Sequence, residues 1–177
     1  VDERLVLSDR VHVLTVMAGA LRRRILCQTL WLALAWPVTL GAQTGHDVAV
    51  VVHPDVPVDS LTTADLRRLV LGDRGFWPGS VRVTLLLRAP VAYERDVVLK
   101  NICEMNEAQF RQHWIAKVFR ADTAVAPKIV YSSEMAADLV NRMAGAITFI
   151  DAGQVGRGMR VVKIDGRMPG DKGYTLH

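Results

Sequence analysis

Asp47 to His53 reads DVAVVVH, an almost unbroken β-branched run of the kind that forms a strand buried on both faces. Helical signals begin at Thr62. Thr62 and Asp65 fit a capping box, Leu61 can staple onto Leu66, and Gly72 supplies a C-terminal stop. A second strand is expected over Val81–Leu87, after the turn formers Trp77, Pro78 and Gly79. The next helix is expected near Pro90 and runs to about Asn101, because proline is accommodated in a first helical turn. A third helix starts at Asn106, with Gln109 in the box position and Met105 facing Phe110. On it, Phe110, Trp114 and Val118 fall on one stripe and are expected to face inward. Ile129–Tyr131 predicts a short strand, followed by a helix capped by Ser132 or Ser133 that presents Met135, Leu139 and Met143 and stops at Gly145. Ala146–Ile150 and Met159–Ile164 complete the strands. Strands alternating with helices imply an α/β sandwich with crossovers and at least some parallel pairing.

The segment before this domain has a different pattern. Arg22, Arg23 and Arg24 precede Ile25 to Leu40, a run of 16 residues broken only by Gln28, Thr29, Pro37 and Thr39. A positive patch, a moderate apolar segment and the small residues Gly41 and Ala42 are the layout of a secretory signal peptide. The run is shorter than the roughly 20 residues a spanning helix needs. Asp2, Glu3 and Asp9 would weaken a positive n-region, whereas Met17 opens one cleanly. The expected organisation is therefore a leader over residues 1–42, with 1–16 an over-extended start and 17–42 the signal, and a single domain over 43–177. That domain keeps one cysteine, Cys103, and so holds no internal disulfide.

Composition narrows the function classes. Half of the 177 residues are hydrophobic and 23% are charged, so the chain belongs with folded globular proteins. The formal charge is +4, but beyond residue 42 there are 17 basic residues against 15 acidic ones. That scattered excess gives no argument for nucleic acid. The sequence carries no nucleophile elbow, P-loop, HExxH or Cys-x-x-Cys, and its histidines form no i, i+4 pair, so neither enzyme, metal nor cofactor is expected. His113 beside Trp114 reads as a helix-surface residue. Gly153, Gly156 and Gly158 precede a strand rather than a helix and read as a plain loop.

Arg88 carries more information. It ends a strand just before a helix start, where backbone N–H groups and a guanidinium fork favour an oxyanion. Local chemistry also offers Arg88 a simple ion pair with Glu94 or Asp96, and Arg95 is expected to face solvent.

The order of segments resembles the phosphate-binding periplasmic proteins. VAVVVHPDVPVDSLTTADLRRLVLGDRGFWPGS is similar to their strand leading into "NP…v.sLt..dL..if.G…W..G". GAITFID at 145–151 looks like their "GAIGYV", and VVKIDGRMPGDKGYTL like their "v..idG..P…..Y.L". The resemblance covers about residues 47–176. It implies a type 2 periplasmic-binding-protein-like fold in one compact domain, with a mixed, mostly parallel sheet flanked by helices. It also implies a short form, because the full binders are longer and carry a further βα segment upstream. Arg88 matches the family's anion-holding arginine, but Ala92, Tyr93 and Glu94 stand where a Ser-Gly-Thr is expected. These four form the expected ligand site, with two hydroxyls and a glycine lost and a repelling carboxylate gained. Two functions follow from the resemblance. One is a secreted or periplasmic module that captures a small anion, phosphate among the candidates, for a membrane transporter or sensor. The other is a non-catalytic interaction domain that has lost its ligand. The sequence sets no oligomeric state.

Overall fold

Residues 46–122 and 126–177 are described in a computed structural model of the chain; the expected leader over residues 1–42 lies outside them. The elements in chain order are β1 (Val48–Val52), β2 (Ser60–Leu61), α1 (Thr63–Val70), β3 (Thr84–Arg88), α2 (Tyr93–Val98), α3 (Glu107–Phe119), β4 (Lys128–Val130), α4 (Ser133–Arg142), β5 (Ala146–Asp151), β6 (Arg160–Val161) and β7 (Lys163–Ile164). A π-helical turn, Leu99–Cys103, continues α2.

The main sheet has the order β4-β3-β5-β1-β6. β3 pairs in parallel with both β4 and β5, while β1 is antiparallel to β5 and to β6. Four strands therefore point one way and β1 alone opposes them. β2 and β7 form a separate parallel pair. The crossovers fix which ends meet: β3 leads into α2 and β4 leads into α4, so the start of each helix lies at the same end of the sheet.

Every residue of β1 is fully buried, as its continuous β-branched run requires. Val48, Val50 and Val52 join Leu85, Leu87 and Phe149 under α1, α2 and α3. Ala49 and Val51 join Leu86 and Ile150 under Ala136 and Val140 of α4. The C-terminal segment closes the first layer. Val48 N–H donates to the Leu176 carbonyl and the Tyr174 hydroxyl to the Val48 carbonyl, each at 2.8 Å.

Of the two expected capping boxes the one at Asn106 is complete, while at Thr62 only the N-cap bond forms and the Asp65 carboxylate accepts from the Thr62 hydroxyl at 2.8 Å. Thr62 Oγ1 accepts from Asp65 N–H at 3.0 Å, and Asn106 and Gln109 form a reciprocal capping box at 2.9 Å each way. Gly72 has φ +71°, and a Cβ there would come within 2.6 Å of the Trp114 ring, so both its conformation and its bareness are required.

Several expectations need correction. Val118 is 49% exposed, whereas Phe110 and Trp114 are buried. Residues at i, i+4 and i+8 rotate by about 40° per step, and α3 instead buries Phe110, Trp114 and Lys117, the last reaching Asp73 as an ion pair. On α4 the inward face is Ser133, Ala136 and Val140; Leu139 and Met143 pack at its flank, and Met135 is exposed. Small residues let that helix approach the sheet closely. The strand expected from Val81 begins at Thr84, and the helix expected near Pro90 begins at Tyr93 after a turn. Ile129–Tyr131 shifts one residue earlier, to Lys128–Val130. Met159–Ile164 divides between two sheets, because β6 pairs with β1 and β7 with β2.

Candidate anion site

Arg88 is the last residue of β3 and lies opposite Val130 of β4. The chain then turns sharply. Ala89 N–H donates to the Val130 carbonyl at 2.9 Å and Ala92 N–H to the Ala89 carbonyl at 3.2 Å. The turn holds Val91 at φ +69°, a left-handed conformation that a β-branched side chain disfavours. Ala92 is the N-cap of α2 and contributes no side-chain bond, and Tyr93 is largely turned to solvent. Glu94, one residue on, is only 6% exposed.

Arg88 and Glu94 face each other. Arg88 Nε is 3.4 Å from Glu94 Oε1, and Ser133 Oγ donates to the same oxygen at 3.4 Å. Two layers therefore converge here: β3 supplies the cation, α2 the carboxylate, and the first residue of α4 the hydroxyl. Yet the guanidinium is under-used. Its Nε and Nη1 are buried and make no hydrogen bond among the described residues. An arginine has five donors in a fixed fork, so the close carboxylate balances its charge without satisfying its hydrogen bonds. The positive field extends further. The Glu134 carboxyl is held below its ordinary range, chiefly by its backbone N–H and the Ser132 hydroxyl, with Arg88 adding to the effect.

Asp96 pairs with Lys100 at 2.8 Å, which leaves Glu94 as the partner of Arg88. Arg95 does not face solvent, contrary to expectation. It is 7% exposed, forks onto both Glu107 oxygens at 2.7 and 2.9 Å, and donates from Nη1 to the Arg88 carbonyl at 3.0 Å. Its guanidinium also lies 5.4 Å from the Phe110 ring centre. Arg95 therefore braces the end of β3 rather than extending an anion site.

His113 Nε2 lies 2.9 Å from the Leu71 carbonyl, a helix-to-loop tie. Among the described residues no cluster of three or more His, Cys, Asp or Glu side chains is placed to hold a metal. Burial pushes the Cys103 thiol up to about 12, so it stays protonated and inert at neutral pH. Sequence reasoning placed Arg88 beside Glu94 but missed Ser133 and Glu134. The signal for them is present in the sequence: a Ser-Ser-Glu start to a helix directly follows a strand, and that strand proves to be the parallel neighbour of β3.

The sheet order and the flanking helices make a mixed, mostly parallel α/β fold of the periplasmic-binding-protein-like kind. Three solved structures share that fold. One is a proposed phosphate ABC transporter substrate-binding protein with bound phosphate from Clostridium perfringens, at TM-score 0.60 and 19% identity, matched over 74% of this chain and 52% of that one. Another is an ABC-type phosphate transport receptor from Vibrio cholerae, at TM-score 0.57 and 21% identity, over 70% and 48%. The third is PstS from Borrelia burgdorferi, at TM-score 0.60 and 11% identity, over 74% and 54%. The chain spans about half the length of these proteins. No protein-family model matches the sequence, and no curated protein matches it. Among the described residues no helix is long and apolar enough to cross a membrane.

Proposed function

We propose that the domain is a non-catalytic receptor for a small oxyanion, phosphate among the candidates, and that it works outside the cytoplasm beside a transporter or sensor. The observation that supports this is Arg88, partly buried at a strand end, with two guanidinium nitrogens buried and unpaired among the described residues and facing the first turns of two helices. The transport receptors of similar fold supply the coarse setting, and the expected leader supplies the compartment.

The affinity should be weak. Where the resemblance implies hydroxyls and a glycine, the chain has Ala92, Tyr93 and Glu94. Hydrogen bonds to charged groups are worth about 1.5–3 kcal/mol each, and micromolar binding needs only about 8.2 kcal/mol in all. Losing three such bonds leaves millimolar binding at best. Calorimetric titration of phosphate and sulfate into wild type and Arg88→Ala tests this. Weak binding that vanishes in the variant supports it. Tight wild-type binding refutes the weak site, and an unchanged variant places the site elsewhere.

A second reading, that the domain is an interaction module, draws support from the exposed Val91, Tyr93, Tyr131 and Met135 near that end of the sheet. Its signature is a partner protein retained equally by wild type and Arg88→Ala.

A further inference from the structure

A groove of about 700 Å³ runs between α3 and β4. Phe110, Trp114, Ile115, Val118 and Phe119 of α3 and Ile129 of β4 line it. Ile115, Val118 and Ile129 are about half exposed, and Phe119 is 90% exposed. Apolar surface gathered in this way marks a binding site more often than scattered single residues do. The volume falls within the range of about 300–1,000 Å³ of small-molecule sites.

The few polar groups are unevenly committed. Arg95 and Glu107 satisfy each other through two hydrogen bonds. Arg111, also on the groove wall, shares Glu107 with Arg95 through a longer contact of 4.0 Å to the same oxygen, so among the described residues it has no partner of its own. The Trp114 indole N–H is buried and has no acceptor among the described residues. An apolar trough with the Arg111 cation on its wall is complementary to an apolar anion. Pairing by another polypeptide strand is discouraged at this edge, since β4 is three residues long, contains Lys128 and follows Pro127.

We propose that this groove binds a small amphiphile, an unbranched aliphatic chain with a carboxylate head, the tail lying along α3 and the head pairing with Arg111. This ligand is separate from the oxyanion of Arg88, and either site can fail without the other.

Calorimetry with dodecanoate and with dodecanol, each below its aggregation limit, tests the proposal on the full chain. The wild type, Arg111→Gln and Ile115→Glu are compared after circular dichroism shows that each is folded. Both substitutions are at exposed positions of α3. Arg111→Gln should weaken dodecanoate roughly fivefold, the range of a rim ion pair, and leave dodecanol unchanged. Ile115→Glu should weaken both at least tenfold. Wild-type binding of neither compound overturns the proposal. So does Ile115→Glu binding both as the wild type does, or Arg111→Gln changing the two ligands equally.

Discussion

Replacing Trp114 with alanine should cost about 3 kcal/mol of folding stability. Removal of a buried aromatic side chain costs about 3–5 kcal/mol, and Trp114 is a strong case because its ring touches both α3 and the α1 side of the core. It lies against Gly72, which follows α1, and its centroid is 6.3 Å from that of Phe110 in an edge-on contact. One feature moves the expectation to the lower end. Among the described residues the buried indole N–H has no acceptor, a desolvation cost of about 1–3 kcal/mol that the alanine variant no longer carries. Trp114→Phe separates these effects, because it keeps a ring in the site and removes the orphan donor; its cost should stay below about 1.5 kcal/mol. A domain of ordinary stability, about 5–15 kcal/mol, remains folded in both variants. Urea unfolding followed by far-UV circular dichroism is the suitable assay, since tryptophan fluorescence changes with the substitution itself. A loss below about 1 kcal/mol for Trp114→Ala, or equal losses for the two variants, would refute the packing argument.

Val91→Gly should raise stability by up to about 1 kcal/mol, because relief of a left-handed valine outweighs the added freedom of the unfolded chain; thermal melts read this, and a loss contradicts it. Asp65 is held below its ordinary value, first by the Thr62 hydroxyl and then by Arg68. A depressed carboxylate contributes stability above its unfolded pKa of 3.8 that is lost as pH falls through the lower folded value. Thr62→Ala should therefore move the Asp65 titration, followed by NMR, upward toward 3.8, and an unmoved titration contradicts the cap. Cys103 should resist iodoacetamide at pH 8 in the folded protein and react once denatured; rapid native alkylation would show that the site opens.

The fold was legible where one local rule acts alone. The run at 47–53 could only be a buried strand, and Asn106 with Gln109 marked a helix start to the residue. Legibility failed where tertiary packing decides. Val118 lies on the same nominal stripe as Phe110, but helix rotation and the ion pair of Lys117 with Asp73 turn it outward. Met159–Ile164 looks like one strand because alternation does not reveal that consecutive halves join different partners. At the candidate site, the Arg88–Glu94 alternative was visible from spacing alone. Arg95 was misjudged because its partner, Glu107, begins another helix. Ser133 and Glu134 come beside the Arg88–Glu94 pair only through the parallel pairing of β3 with β4, a long-range fact no local window contains.

The proposed weak oxyanion site implies that the Glu94 carboxylate, 3.4 Å from Arg88 Nε, competes with the ligand for that cation. Phosphate titrated calorimetrically into Glu94→Gln, at fixed ionic strength and against wild type, tests it most directly. Close charge pairs couple by about 1.5–7 kcal/mol, and the lower end of that range corresponds to roughly a tenfold change in affinity. Glu94→Gln should therefore bind phosphate at least tenfold more tightly than the wild type, with the gain abolished by adding Arg88→Ala. Unchanged or weaker phosphate binding in a folded Glu94→Gln protein would contradict the account.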